Sequence, residues 1–178
     1  MNEQEVSILL VDDEPNILTS LSRLLRQYQI TTATSGEEAL QLAKQHKFDI
    51  VISDYRMPGI NGIEFLMFFK LLQPDAIRLM LTGQADLEGV QQAINEAQVF
   101  RFINKPWSNA EILNAIENGL MHQRLLIENK RLADRVREQQ TLLNEKDAIL
   151  RALEAAEPGI TKVNWAADGS IIIDENDG

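Results

Sequence analysis

The chain has 178 residues, of which 44% are hydrophobic and 25% are charged, and its formal net charge is -10. This length fits one domain with an additional segment, and the acidic balance argues against direct electrostatic binding to nucleic acid. Cysteine is absent, which excludes disulfides, thiolate metal sites and cysteine nucleophiles.

The N-terminus and the hydropathy of the chain indicate the cellular compartment. The first five residues are acidic and lack the basic region of a secretory signal. No apolar run approaches the roughly 20 residues of a membrane span. We therefore expect a cytoplasmic protein that does not enter a membrane.

The first third of the chain alternates apolar runs with amphipathic segments. Val6–Val11 predicts a buried strand that ends at three acids, and Pro15 suits the first turn of a helix that continues to about Tyr28. Gln29–Thr34 predicts a second strand. Ser35 is then expected to cap a second helix.

The same alternation continues to residue 108. Phe48–Ser53 predicts a third strand, which stops at Asp54 before Met-Pro-Gly, and a helix that follows is closed by Pro74. The remaining predicted elements are a fourth strand over Ala76–Leu81, a fourth helix beginning near Asp86, a fifth strand over Val99–Ile103 and a fifth helix capped by Ser108.

Five strands that alternate with five helices predict an α/β fold. Right-handed crossovers restrict such a chain to a few doubly wound parallel sheets, among them the flavodoxin-like order 2-1-3-4-5. No glycine-rich phosphate loop follows the first strand, where acids stand instead.

Polar residues follow the strands at the edge where ligands bind in such sheets. By itself, Asp54 is equally compatible with an ordinary turn residue. The carboxyl edge, however, would also gather Asp12, Asp13, Thr82 and Lys105. Crowded carboxylates repel unless a cation joins them, and a set of oxygen ligands suits Mg2+. A carboxylate beside a metal ion and a lysine can act as a nucleophile towards phosphorus.

The ordered motifs resemble the receiver domain of bacterial response regulators. The resemblance covers about residues 5–122 and rests on Asp12-Asp13, Asp54 within Asp-Tyr-Arg-Met-Pro-Gly, Leu81-Thr82-Gly83 and Lys105-Pro106. It implies that Asp54 is the phosphoacceptor. Asp13, Asp54 and the backbone carbonyl of Arg56 would ligate Mg2+ directly, and Asp12 would act through water.

The resemblance also implies roles for residues around the phosphoryl group. Thr82 and Phe102 correspond to the switch residues, and Lys105 would bind a phosphoryl oxygen and precede a cis proline. Arg56 and Gln84 occupy the positions that tune autodephosphorylation. A sensor histidine kinase or phosphotransfer protein would supply the phosphoryl group, and the face formed by the fourth helix, fifth strand and fifth helix would change in response.

The fifth helix is expected to run on to about Ala156, because no proline interrupts it. From residue 122 onwards it carries a heptad pattern that predicts a parallel homodimeric coiled coil, with a single charged helix as the alternative. Leu142 and Ile149 widen the apolar face and leave higher oligomers open. The predicted seam consists of Leu125, Asn129, Leu132, Val136, Leu143, Leu150 and Leu153.

Residues 157–178 form the last of three predicted segments, after a receiver over 1–122 and a coiled coil over 123–156. Two apolar runs, Ile160–Trp165 and Ser170–Ile173, flank an Asp-Gly pair and predict a β-hairpin. The alternative is an acidic tail without fixed structure.

These observations favour a phosphorylation-switched signalling protein rather than an enzyme acting on external substrates. The alternative is a receiver fragment of a larger regulator, with an HD-type phosphodiesterase, AAA+ or DNA-binding output domain absent from this chain. A phosphatase using Asp54 is disfavoured because Arg56 stands where haloacid-dehalogenase-like phosphatases carry a second Asp. An inert scaffold is disfavoured by the intact acidic set. The sequence does not identify a downstream partner.

Overall fold

The computed structural model describes residues 6–83 and 95–159, and within them five parallel strands form one sheet. The strand order is β2-β1-β3-β4-β5, which confirms the predicted flavodoxin-like topology. The strands are β1 (Ser7–Val11), β2 (Gln29–Ala33), β3 (Ile50–Asp54), β4 (Ile77–Thr82) and β5 (Arg101–Asn104).

The described helices are α1 (Pro15–Leu24), α2 (Gly36–Gln45), α3 (Gly62–Leu72) and one long C-terminal helix (Asn109–Ala156). The helix predicted near Asp86 lies outside the described residues, as does the predicted hairpin after residue 159. α1 ends four residues before the predicted Tyr28. The chain must turn there, because the Gln29 amide already donates to the Val6 carbonyl oxygen to start the β1–β2 pairing.

Side-chain caps fix the starts of three helices. The Ser35 hydroxyl accepts from the Glu38 amide (3.2 Å) and the Ser108 hydroxyl from the Glu111 amide (3.1 Å), which confirms both predicted caps. A third cap was not predicted. Asn61 and Glu64 form a reciprocal capping box at the start of α3, which satisfies two backbone amides that a helix end leaves unpaired.

The sheet has an apolar core on each face, as alternating βα units require. α1 and the first turns of the C-terminal helix cover one face, with Leu21 and Ile116 among the buried contacts. α2 and α3 cover the other face, with Ala39, Phe65 and Phe69 buried there. The two helix layers leave the carboxyl ends of the strands free to form a site.

The C-terminal helix meets the sheet through small and polar residues as well as apolar ones. A Cβ atom at Gly119 would lie 2.8 Å from Cγ2 of Ile77, so the helix approaches the strand more closely than any larger residue permits. One turn later the buried Gln123 amide donates to the carbonyl oxygens of Asp75 (3.1 Å) and Asp49 (3.3 Å). These contacts fix the helix against the amino ends of β3 and β4.

The chain forms two compact units, Met1–Ile127 and Glu128–Gly178. The predicted domain limits at residues 122 and 156 stay predictions. Among the described residues, each helix is too short or too polar to cross a bilayer.

Candidate functional site

The carboxyl edge of the sheet brings together the side chains that the sequence placed there. Asp12 directly follows β1, Asp54 ends β3, Thr82 ends β4, and Lys105 directly follows β5. Asp12, Asp54 and Thr82 are buried, whereas Asp13 is exposed. The site therefore has a buried floor and one carboxylate at its solvent side.

Three carboxylates and one ammonium group form the centre of the site. Oxygens of Asp12, Asp13 and Asp54 lie within 4.8 Å of one another. The Lys105 Nζ atom lies 2.9 Å from Oδ1 of Asp54 and 3.2 Å from Oδ2 of Asp12. The other Asp12 oxygen accepts from the Glu14 amide (2.8 Å), which holds that carboxylate in place.

Burial dominates the titration of Asp54. Removal from water raises the pKa of Asp54 above its ordinary value, and the neighbouring Asp12 charge adds to this effect. The hydrogen bond and charge of Lys105 offset it only in part. For Lys105, burial lowers the pKa, but pairing with Asp54 and Asp12 outweighs burial and leaves the pKa raised. The lysine is therefore charged at neutral pH.

The raised pKa of Asp54 gives a prediction about stability without metal. The folded chain holds the Asp54 proton more tightly than the unfolded chain, so ionisation lowers the free energy of unfolding as the pH rises from the ordinary value of 3.8 through the folded-state pKa. Asp54→Asn should therefore be more stable than the native chain in metal-free buffer at neutral pH. Urea denaturation at a series of pH values should show that advantage growing with pH. An advantage that is independent of pH would contradict this account.

The three carboxylates fit a hard divalent cation. Mg2+ prefers oxygen ligands at about 2.1 Å, so two ligands on opposite sides of one ion lie about 4.2 Å apart. Carboxylate oxygens that lie within 4.8 Å of one another are compatible with that separation. An exposed Asp13 also leaves one side of the site open to coordinated water and to a phosphoryl group.

Thr82 is paired with a residue that the sequence interpretation did not include in the site. Its hydroxyl donates to Oδ1 of Asn104 at 3.2 Å, and the two residues face each other across β4 and β5. Asn104 precedes Lys105 at the same sheet edge. Asn104 therefore lies at this edge for the same reason as Lys105, because both residues stand at the end of β5.

A tight loop after Asp54 holds this residue against α3. Gly59 adopts φ +80°, which favours glycine, and the Gly62 amide donates to the Tyr55 carbonyl oxygen (2.9 Å). A Cβ atom at Gly62 would collide with the Asp54 carbonyl oxygen and would lie 2.9 Å from Cα of Tyr55. The start of α3 thus contacts the backbone of the site directly.

The sign of the change in the free energy of unfolding in Gly62→Ala tests that close contact. In an ordinary first turn of a helix, alanine would stabilise the chain by about 0.4–1 kcal/mol relative to glycine. Here the clash with the Asp54 backbone should destabilise it by about 1–3 kcal/mol, the usual range for overpacking. Equilibrium urea unfolding measures the difference. A stabilised variant would show that the loop yields without strain.

The remaining predicted site residues have separate outcomes. The Lys105–Pro106 peptide bond is cis, as expected. Phe102 is half-buried and packs against the core beneath α2 and α3. Arg56 is exposed, and the role of its carbonyl stays a prediction. Gln84 lies outside the described residues.

Comparison with known families gives one match over most of the first unit. The family described as "Response regulator receiver domain" matches residues 8–117. Among curated proteins, the transcriptional regulatory protein GlrR of Escherichia coli is 30% identical over 158 residues, which are 88% of this chain and 34% of that protein. The chain thus spans about a third of the length of such relatives.

Solved structures give the same similarity at the level of the fold. A structure described as adenylate cyclase from Rhodopirellula baltica is 40% identical, with a TM-score of 0.69, and the alignment covers 75% of this chain and 98% of that chain. The signal receiver domain of an HD domain-containing protein from Pseudomonas fluorescens is 36% identical, with a TM-score of 0.65, and the alignment covers 67% and 98%. Both alignments therefore span nearly the whole of the compared chain.

Proposed function

Because the chain belongs to the response regulator receiver domain family, we propose that Asp54 accepts a phosphoryl group and that its phosphorylation switches a dimeric coiled coil. Receiver domains exchange signals with histidine kinases or phosphotransfer proteins, and such a protein is the proposed donor. The observation that carries the proposal is the buried Asp54 carboxylate, 2.9 Å from Lys105 and clustered with Asp12 and Asp13.

The proposed reaction uses residues already in position. An Asp54 carboxylate oxygen attacks phosphorus, a P–O bond forms, and the P–N bond to the donor histidine breaks, with solvent supplying the proton for the departing imidazole. The Lys105 ammonium group, which pairs with Asp54 in the unmodified chain, would then form an ion pair with a phosphoryl oxygen. Asp13, Asp54 and the backbone carbonyl of Arg56 would hold Mg2+, with Asp12 acting through water, and the ion would supply positive charge to the phosphoryl oxygens. Asp12 would also keep Lys105 anchored.

The switch would begin at Thr82 and Asn104. The Thr82 hydroxyl now donates to Asn104 (3.2 Å), and a phosphoryl group on Asp54 would add charge of about -1.5 to -2 near it. Exchange of the Asn104 acceptor for a phosphoryl oxygen would move β4 relative to β5. Phe102, half-buried on β5, is the proposed reporter of that movement.

The proposed output is a parallel coiled coil between two copies. The predicted seam residues Leu132, Val136, Leu143 and Leu150 are 44–63% exposed in the single chain. Their spacing of four and then seven residues, in one continuous helix, supports pairing with a second helix, and Asn129 suits a two-stranded register. The helix that carries them is the one fixed to β3 and β4 through Gln123.

A second candidate function follows from the length of the relatives. This chain spans only 34% of GlrR, which is described as a transcriptional regulatory protein. The chain would then be the receiver portion of a larger regulator whose output domain lies elsewhere. The reading frame at the source locus distinguishes the two proposals.

Metal binding tests the proposed site separately from phosphorylation. A ligand at 100 times its Kd stabilises a folded protein by about 2.7 kcal/mol, so Mg2+ should raise the free energy of unfolding of the native chain. Asp13→Asn should weaken Mg2+ binding at least about tenfold, because it removes one charged ligand. Glu14→Gln makes the same change in charge one residue away and should bind normally. Equal stabilisation of both variants by Mg2+ would show that Asp13 is not a ligand of the ion.

A further inference from the structure

The receiver unit carries an apolar groove that shares no lining residue with the acidic site. Phe68, Leu71 and Leu72 on the outer side of α3 are 53%, 76% and 43% exposed. Together with Leu40 of α2 they line a cavity of about 330 Å³. We call this feature the α2–α3 groove; its rim is formed by Glu37, Gln41 and Lys44.

Core packing does not account for the exposed side of α3. The helix buries Ile63, Phe65, Leu66 and Phe69 against the sheet, and the groove residues lie outside that set. Isolated exposed apolar residues are ordinary, whereas a contiguous patch marks an interaction surface. The first turns of the C-terminal helix cover the other face of the sheet, and the residues that line this groove differ from those of the predicted seam.

The rim carries a charge pattern that is complementary to itself. Glu37, Gln41 and Lys44 are spaced by four and three residues, so they share one side of α2. The acid lies near the start of the helix, the base near its end, and the neutral amide between them. A two-fold axis near Gln41 would place Glu37 of one copy opposite Lys44 of the other, and the reverse.

We propose that the α2–α3 groove binds the same groove of a second copy of this chain, with the two α2 helices antiparallel. Interfaces with two-fold symmetry must be self-complementary, and this groove meets that condition in both apolar surface and charge. One helix pair is smaller than a standard stable interface, so the contact is weak and reversible. It is a second interface between copies, separate from the coiled coil.

Cross-linking at the axis tests the contact in the full chain. Because the chain has no cysteine, Gln41→Cys and Thr19→Cys each introduce a single thiol, at the proposed axis and on the exposed side of α1 respectively. A short bis-maleimide should join Gln41→Cys chains at least about tenfold faster than Thr19→Cys chains. Equal rates would overturn the proposal and leave the groove to a different partner.

A charge exchange tests the orientation. Lys44→Glu places like charges opposite each other in two pairs and should slow the Gln41→Cys cross-link about tenfold. Adding Glu37→Lys restores opposite charges and should restore the rate. Glu37 also accepts from the Ile60 amide (3.2 Å), so thermal unfolding of each variant is recorded to confirm that it folds. If the cross-linking rate falls in Lys44→Glu and is not restored in a folded double variant, the antiparallel arrangement is excluded.

Leu71→Glu separates this contact from the coiled coil. The substitution lies at a position that is 76% exposed, so the midpoint of thermal unfolding should stay unchanged. It should abolish the Gln41→Cys cross-link while the mass from sedimentation velocity still reports the coiled-coil dimer. Retention of the cross-link in Leu71→Glu would overturn the proposal. A monomeric mass in the native chain, with the cross-link intact, would instead contradict the coiled coil alone.

Discussion

Asp54→Asn should abolish phosphorylation of the chain by acetyl phosphate. The variant keeps the shape of the side chain but lacks the carboxylate that attacks phosphorus, so we expect labelling to fall at least about a thousandfold, to background. The raised pKa of Asp54 shows that burial disfavours its charge, and therefore the substitution should not unfold the protein. The measurement is the intact mass of the chain after incubation with acetyl phosphate and Mg2+.

Two controls make that result specific to the site. Asp49→Asn changes the same residue type at the amino end of the sheet, just before β3, and should leave labelling unchanged. Circular dichroism of Asp54→Asn checks that the fold is intact. Labelling of folded Asp54→Asn at the native rate would remove Asp54 as the phosphoacceptor.

Leu143→Lys should convert the proposed coiled-coil dimer into a monomer. Burial of a leucine side chain stabilises an interface by about 1.5–3 kcal/mol, and a two-stranded coil loses two such residues and gains two like charges. We expect Kd for dimerisation to rise at least about a hundredfold. Sedimentation equilibrium over a range of concentrations measures this change.

Ala148→Lys is the matched control for the coiled coil. It adds the same side chain to the same helix, but at a position outside the predicted seam, where alanine is exposed. The control should remain dimeric. Equal masses for both variants, or a native chain that is monomeric at every concentration, would contradict the proposed seam.

Strand patterns were enough to predict a doubly wound parallel sheet and the edge at which the site forms. The apolar runs before Asp12, Asp54 and Lys105 predicted parallel strands, and parallel strands end at a common edge. Side chains that directly follow buried parallel strands therefore lie close together at that edge. Lys105 indeed lies within 3.2 Å of both Asp12 and Asp54.

Contacts that depend on how closely two segments of the chain approach each other could not be predicted from such patterns. The Gly62 contact with the Asp54 backbone arises from how the loop returns to the sheet, and a glycine after Asn61 predicts only a turn. Arg78 occupies a buried strand, yet its guanidinium donates to the carbonyl oxygens of Ala97 (2.8 Å) and Ala76 (2.6 Å). The position of a charged residue within an apolar run does not predict which carbonyl oxygens will accept its hydrogen bonds.

Gln123 is the residue whose role was least visible in the sequence. It lies between His122 and Arg124 at the start of the predicted coiled coil, and nothing in the helical pattern marks it as buried. The structure buries it and pairs it with the carbonyl oxygens of Asp49 and Asp75. Tertiary contacts at the amino end of the sheet determine this burial, and helical spacing alone does not predict those contacts.

The position of the phosphoryl group tests the central claim most directly. The native chain is labelled with acetyl phosphate and Mg2+, reduced with borohydride to convert aspartyl phosphate into homoserine, and digested for peptide mass spectrometry. The account predicts homoserine at residue 54 and at no other aspartate. Homoserine at Asp12 or Asp13 with Asp54 unmodified would contradict it.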